Sequence, residues 1–204
     1  MRNPIKILAV IAIVACFAFS LPAKESKKIS VVIDAGHGGK DEGSVFNNLS
    51  EKDIVTQISS QIKALNTNAD VELHFIRETD EFVSLEERVE AINKHNPDLV
   101  LSLHLNYSKD ADIYGMEFFV TNAEQSEKSL AYAEKLADRF KNKEYNTERG
   151  VKQASFFILK NANVPAVMFQ IGFLSNETDR LYLTSENGQN DVAKTILEFI
   201  EEIK

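Results

Sequence analysis

Runs of uninterrupted apolar residues alternate along this chain with stretches in which apolar residues recur every third or fourth position. Ile29 to Ile33 is a continuous apolar run, broken only by Ser30, that ends in Asp34-Ala35-Gly36. A short run of this kind predicts a strand buried on both faces. Ser50 can cap a helix on which Ile54, Ile58, Ile62 and Leu65 fall on one face. Val71, Leu73 and Phe75 alternate as a strand does, and Ser84 with Glu87 makes a capping box before Leu85, Val89 and Ile92. Leu99 to Leu103 predicts a second buried strand, Met116 to Val120 a further one, and Pro165 to Phe169 another. Between them Leu130, Ala133, Ala137 and Phe140 form a helical stripe, and Val192, Ile196, Phe199 and Ile203 form the last. Strand and helix signals in alternation predict an α/β fold: a single three-layer domain with a mostly parallel central sheet flanked by helices.

Composition narrows the function classes. With 44% apolar and 26% charged residues in 204, the chain is an ordinary globular protein rather than a disordered one. A formal charge of −8 argues against nucleic-acid binding, which needs a basic stripe. Cys16 is the only cysteine, so neither a disulfide framework nor a cysteine-based zinc cluster can form within one chain. Any metal must be held by histidines and carboxylates.

The beginning of the chain reads as a targeting segment. Arg2 and Lys6 precede Ile7 to Leu21, in which Ser20 is the only polar residue. That run is short for a membrane span but has the length of a signal-peptide core. Residues 1–23 are expected to be a signal peptide and residues 24–204 the domain. A lipidated Cys16 and an uncleaved anchor are the alternatives, and all three readings export the protein to the periplasm or cell envelope. Without residues 1–23, 21 cationic residues face 31 acidic ones, a net charge of −10. Anionic membrane surfaces would repel such a domain, so no stable membrane insertion is expected after processing.

Open parallel sheets bind ligands beyond the carboxyl ends of their strands, so the chemistry is expected there. The first such end reads Asp34-Ala35-Gly36-His37-Gly38-Gly39, with Asp41 and Gly43 following. It lacks the third glycine of a dinucleotide fingerprint and the Gly-Lys-Ser/Thr of a phosphate loop. The second is Ser102-Leu103-His104-Leu105-Asn106 and the third Phe169-Gln170-Ile171-Gly172-Phe173. Glu51 opens the first helix. Taken singly, His37 reads as a hydrogen-bonded turn residue and Glu51 as a first-turn charge; His74 and His95 read as structural or exposed. Jointly, two histidines and a glutamate match a catalytic zinc site, with three ligands and one open position. Asp34 and Asp41 are candidates to orient His37, and Asn106 to face the substrate.

These motifs resemble a known family. Asp34 to Gly39 with Glu51-Lys52-Asp53 looks like the opening motif of the zinc-dependent N-acetylmuramoyl-L-alanine amidases. Ser102 to Asn106 is similar to that family's second metal motif, and Gly150-Val151-Lys152 to Phe156 and Val164 to Asn176 continue the resemblance in family order. It implies one zinc ion per chain on His37, Glu51 and His104. It implies hydrolysis of the amide between N-acetylmuramic acid and L-alanine, with the stem peptide and muramic acid of peptidoglycan as partners and a monomeric enzyme. Some members carry a long helical insertion that blocks the metal; here only the thirty residues from Thr121 to Gly150 occupy that place, which implies a minimal domain with an open cleft.

One position departs from the family. Gln170 stands where the resemblance places the catalytic Glu. An amide cannot take a proton from a water molecule at useful pH, although it can still hydrogen-bond. Glu117 and Glu177 are the carboxylates that could substitute. The alternative to an amidase is therefore a weak or silent zinc-containing homologue that binds stem peptides or regulates a true amidase.

Overall fold

The computed structural model describes residues 28–122, 126–141, 143 and 148–204. The expected signal peptide and Cys16 lie outside the described residues. In chain order the elements are β1 (Ile29–Ala35), β2 (Val45–Phe46), β3 (Leu49–Ser50), α1 (Glu51–Leu65), β4 (Val71–Phe75), α2 (Leu85–His95), β5 (Leu99–Asn106), β6 (Met116–Val120), α3 (Ser126–Phe140), β7 (Glu148–Gln153), α4 (Phe157–Asn161), β8 (Ala166–Phe173), α5 (Glu177–Thr184) and α6 (Glu186–Ile203).

Six strands form one sheet in the order β4-β1-β5-β8-β6-β7, while β2 and β3 make a separate hairpin. β4, β1, β5 and β8 run parallel; β6 is antiparallel to β8, and β7 is parallel to β6. The expected α/β architecture with a mostly parallel sheet is what forms, and the reversed pair lies at one edge.

Strand alternation divides the core into two layers. Val31, Ile33, Leu101, Leu103, Phe118 and Phe169 belong to the larger apolar cluster, which α1, α3 and α6 cover with Ile58, Leu136 and Ile196. Val32, Val100, Ala166 and Met168 face the other way, toward Ile92 of α2 and Ile158 and Leu159 of α4. α4 has only five residues, so this second layer is thin. It leaves the carboxyl ends of β5 and β8 exposed to a cleft.

Several elements differ from the pattern-based expectation. β7 (Glu-Arg-Gly-Val-Lys-Gln) carries one apolar residue in six, so it has no alternation to detect. α4 has no side-chain cap, and α5 has eight residues with few buried ones. The stripe of α3 runs through Ser129, Ala133, Leu136, Ala137 and Phe140, whereas Leu130 is exposed. A small serine fits where the helix crosses the sheet, and its Oγ accepts from the Ala166 N–H at 3.1 Å. Leu85, expected on the buried face of α2, is exposed and lines the cleft instead. α3 lies within the span from Thr121 to Gly150, and it packs on the side of the sheet away from that cleft.

Candidate metal centre and cleft

β1 delivers the chain to a tight loop. Gly38 and Asp41 exchange backbone hydrogen bonds at 2.9 and 3.1 Å, which folds the Asp41 carboxylate back onto His37 Nδ1 at 2.9 Å. His37 itself has a left-handed backbone, φ 59°. Two buried arginines hold the loop in place. Arg77 donates to the carbonyl oxygens of Ala35 (2.9 Å) and Gly36 (2.6 Å), and Arg88 donates to those of Ala35 (2.8 Å) and His37 (2.5 Å). Sequence pattern offers no sign of either, because arginine is ordinarily a surface residue.

Asp34 corrects an expectation. Its oxygens are engaged by Arg88 Nη1 at 2.5 Å and Ser102 Oγ at 2.7 Å, and not by the His37 ring. Strand register explains this: Asp34 lies opposite Ser102 of β5, inside the second layer and fully buried. Its hydrogen-bonded link to the loop runs through Arg88. Asp41 does contact His37, as expected.

Glu51 occupies the first position of α1, which Ser50 caps by accepting from the Asp53 N–H. The side chain is almost fully buried, yet both oxygens are satisfied. Oε2 accepts from the Ser44 N–H at 2.9 Å and Oε1 from the Leu105 N–H at 2.8 Å. The same Oε1 lies 2.9 Å from His104 Nδ1 and 3.2 Å from His37 Nε2. Burial works to raise the Glu51 pKa, but hydrogen bonds from His104 and His37 outweigh it and hold the group far below the usual carboxylate range. For His37, burial alone would lower the pKa. Contact with Glu51 and then Asp41 reverses that and raises it.

The donor atoms of His37, Glu51 and His104 all lie within 4.8 Å of one another. The two imidazoles meet edge to face, with centroids 5.1 Å apart. Two glycines make the convergence possible. A Cβ on Gly36 would stand 2.3 Å from His104 Cε1, and one on Gly43 (φ 64°) would stand 2.6 Å from both Glu51 Oε2 and His37 Cδ2. Nitrogen and oxygen donors, a carboxylate beneath them and a second carboxylate fixing one imidazole are what a zinc ion requires. The residues present fit that ion.

The centre opens into a cleft of about 660 Å³ lined by His37, Glu51, His104 and Gln170. Val45, Leu85, Tyr107 and Phe157 add exposed apolar surface to its walls. Gln170 is the register partner of both His104 on β5 and Glu117 on β6, so the three share one face of the sheet. Its Oε1 is buried and has no hydrogen-bond partner among the described residues. Asn106 lines the cleft and donates Nδ2 to Glu117 Oε2 at 3.0 Å.

Neither substitute carboxylate is suited to replace a base at position 170. Glu117 accepts from Arg149 Nε at 3.0 Å and Lys152 Nζ at 2.6 Å, contacts which outweigh its burial and lower its pKa. Glu177 is exposed at the start of α5. Sequence pattern singles out neither Arg149 nor Lys152 as a site residue, since a charged edge strand resembles a solvated loop.

Known proteins share this arrangement of chain. A family model described as N-acetylmuramoyl-L-alanine amidase matches residues 31–202. The endolysin of Bacillus phage SPP1 is 33% identical over 178 residues, covering 85% of this chain and 65% of the endolysin. The N-acetylmuramoyl-L-alanine amidase LytC of Bacillus subtilis (strain 168) is 30% identical over 168 residues, covering 82% of this chain and 34% of LytC. This chain thus spans less than two thirds of the endolysin and about a third of LytC. The catalytic domain of CwlV, an N-acetylmuramoyl-L-alanine amidase from Bacillus (Paenibacillus) polymyxa var. colistinus, superposes with a TM-score of 0.79 at 30% identity, covering 86% of this chain and 97% of that domain. Extending over nearly all of the described residues, the family match shows that the chain belongs to the N-acetylmuramoyl-L-alanine amidase family (Amidase_3).

Proposed function

We propose that this chain is an exported, zinc-dependent amidase that hydrolyses the bond between N-acetylmuramic acid and L-alanine in peptidoglycan. The observation that carries the proposal is the convergence of His37, Glu51 and His104 at the floor of an open cleft. Zinc held by these three residues supplies a Lewis acid for the amide carbonyl and a water acidic enough to attack near neutral pH.

The chain's own residues do the rest. Glu51 brings the negative charge that offsets the cation, and backbone N–H donors from Ser44 and Leu105 fix its two oxygens in place. Asp41 accepts from His37 Nδ1, which turns Nε2 toward the centre, where it would bind the metal once its proton is displaced. His104 contributes the remaining ligand. Gln170 stands beside His104 and can donate its amide N–H to the carbonyl oxygen as charge develops there. It cannot accept the proton of the attacking water, and losing a general base typically costs ~10²–10⁴ in rate. The apolar walls would hold the substrate on either side of the scissile amide.

The Gln170 amide also favours a second reading, a silent zinc protein that binds stem peptides or regulates a true amidase. Release of stem peptide from purified peptidoglycan, measured with the zinc content of the same sample, separates the two. Hydrolysis that disappears on chelation and returns with zinc supports the amidase. Stoichiometric zinc with peptide binding and no release supports the silent homologue.

A further inference from the structure

Outside the metal centre, the least expected feature of the cleft face is positive charge. The chain carries a formal charge of −8, yet Arg149 and Lys152 converge on the one buried carboxylate of Glu117. Both cations share this one carboxylate as their salt-bridge partner. The Glu117 side chain is only 7% exposed, whereas those of Arg149 and Lys152 are 34% and 43% exposed. The anion thus lies beneath and the cations open toward solvent. Arg149 donates Nε to Glu117 and Nη1 to the Tyr114 carbonyl oxygen, and Lys152 donates to Glu117. Among the described residues these contacts leave donors on both heads for a further acceptor.

Position connects this pair to the reaction. His104, Gln170 and Glu117 are successive register partners across β5, β8 and β6. Glu117 therefore sits two strand spacings from the metal ligand, ~10 Å at ~4.8 Å per spacing, and the cationic heads reach its carboxylate from β7, one strand beyond. An extended peptide covers that span with about three residues, at ~3.3–3.6 Å each. On the same face, the ring centroid of Phe119 lies 6.0 Å from Lys152 Nζ, and this ring packs edge to face on Phe156 of the cleft wall.

We propose that Arg149 and Lys152 form a carboxylate-binding subsite that selects stem peptides with a free carboxylate about three residues beyond the scissile amide. This rests on the amidase or stem-peptide-binding reading of the same cleft. An arginine fork and an ammonium over a buried counter-ion bind a carboxylate through charge-assisted hydrogen bonds, while Glu117 keeps both heads aimed when the subsite is empty.

The test measures binding rather than turnover. The zinc-loaded protein is titrated with two N-acylated tripeptides that begin with L-alanine, one with free carboxylates at its second and third residues and one amidated at both. The expected result is at least tenfold tighter binding of the acidic peptide, weakening as salt rises. The double variant Arg149→Gln, Lys152→Gln should bind the two peptides equally, while Lys152→Arg should keep the preference. Thermal unfolding of each variant separates loss of fold from loss of recognition. Equal affinities in the wild type, or no binding of either peptide, overturn the subsite. If the preference holds but peptidoglycan is never cleaved, the amidase reading fails and the subsite stands. If peptidoglycan is cleaved but neither peptide is preferred, the amidase stands and the subsite fails.

Discussion

Glu51 Oε1 lies 2.9 Å from His104 Nδ1 although 53 positions separate the two residues. One comes from the first turn of a helix and the other from the end of a strand, and the neighbouring Leu105 N–H clamps the same oxygen at 2.8 Å. The carboxylate therefore serves as a fixed seat on which both histidines converge.

Removing any of the three donors should empty the centre. His104→Ala and Glu51→Gln are expected to carry less than a tenth of an equivalent of zinc after dialysis, against one in the wild type. Metal analysis of the purified proteins checks this. Stoichiometric zinc in His104→Ala would take His104 out of the ligand set.

Zinc affinity should rise with pH. A metal displaces the proton of His37, whose pKa in the metal-free protein lies above the ordinary histidine value of 6.5. Below that raised pKa, displacing this proton should cost affinity roughly tenfold per pH unit. The metal-free protein should show the reverse. A histidine whose folded pKa is raised adds stability that is full below its unfolded pKa and is lost as pH rises through the folded one. Chelator competition and thermal unfolding between pH 6 and 8 read the two trends, and His37→Gln should flatten the second.

Gln170→Glu should increase hydrolysis by at least ~10²-fold, the low end of a general base's contribution. Glutamate is nearly isosteric, and one of its oxygens would occupy the buried position where Oε1 finds no donor. Desolvation there raises a carboxylate's pKa toward working pH, which suits a base. Stem-peptide release by wild type and variant at equal zinc content measures the gain. A briskly active wild type unaffected by the change would point to another base.

Asp41 and Asp34 should separate function from stability. Asp41→Asn leaves an exposed site and is expected to weaken zinc binding ~10–100-fold with little change in melting temperature. Asp34→Ala strands Arg88 without its buried partner, which costs ~3–5 kcal/mol. It should lower the melting temperature by roughly 6–20 °C, at ~2–4 °C per kcal/mol for a domain of this size. Calorimetry of the two variants beside metal analysis shows whether the effects divide in this way.

Export is open to direct measurement. Mass spectrometry of the envelope fraction should find a chain beginning at or near Lys24. An intact N-terminus would mark an anchor, and lipid on Cys16 a lipoprotein.

Local signals in the sequence determined much of this protein. The run Ile29 to Ile33, the caps at Ser50 and Ser84 and the helical stripes of α1 and α6 depend on neighbours a few positions away, so they were legible without a structure. The motifs at the strand ends likewise pointed to His37 and His104, because sheet topology sends strand ends to one edge, and the start of the first helix pointed to Glu51. Only the tertiary structure decided what long-range packing controls. Asp34 turned to Arg88 and Ser102 because register with β5 placed it inside a layer. Leu130 faced solvent because the crossing of α3 over the sheet selected Ser129. Glu117 was lost as a base because a nearly apolar-free segment, β7, joined the sheet edge through backbone hydrogen bonds and brought Arg149 and Lys152 onto its carboxylate. Backbone pairing of that kind leaves no trace in side-chain periodicity.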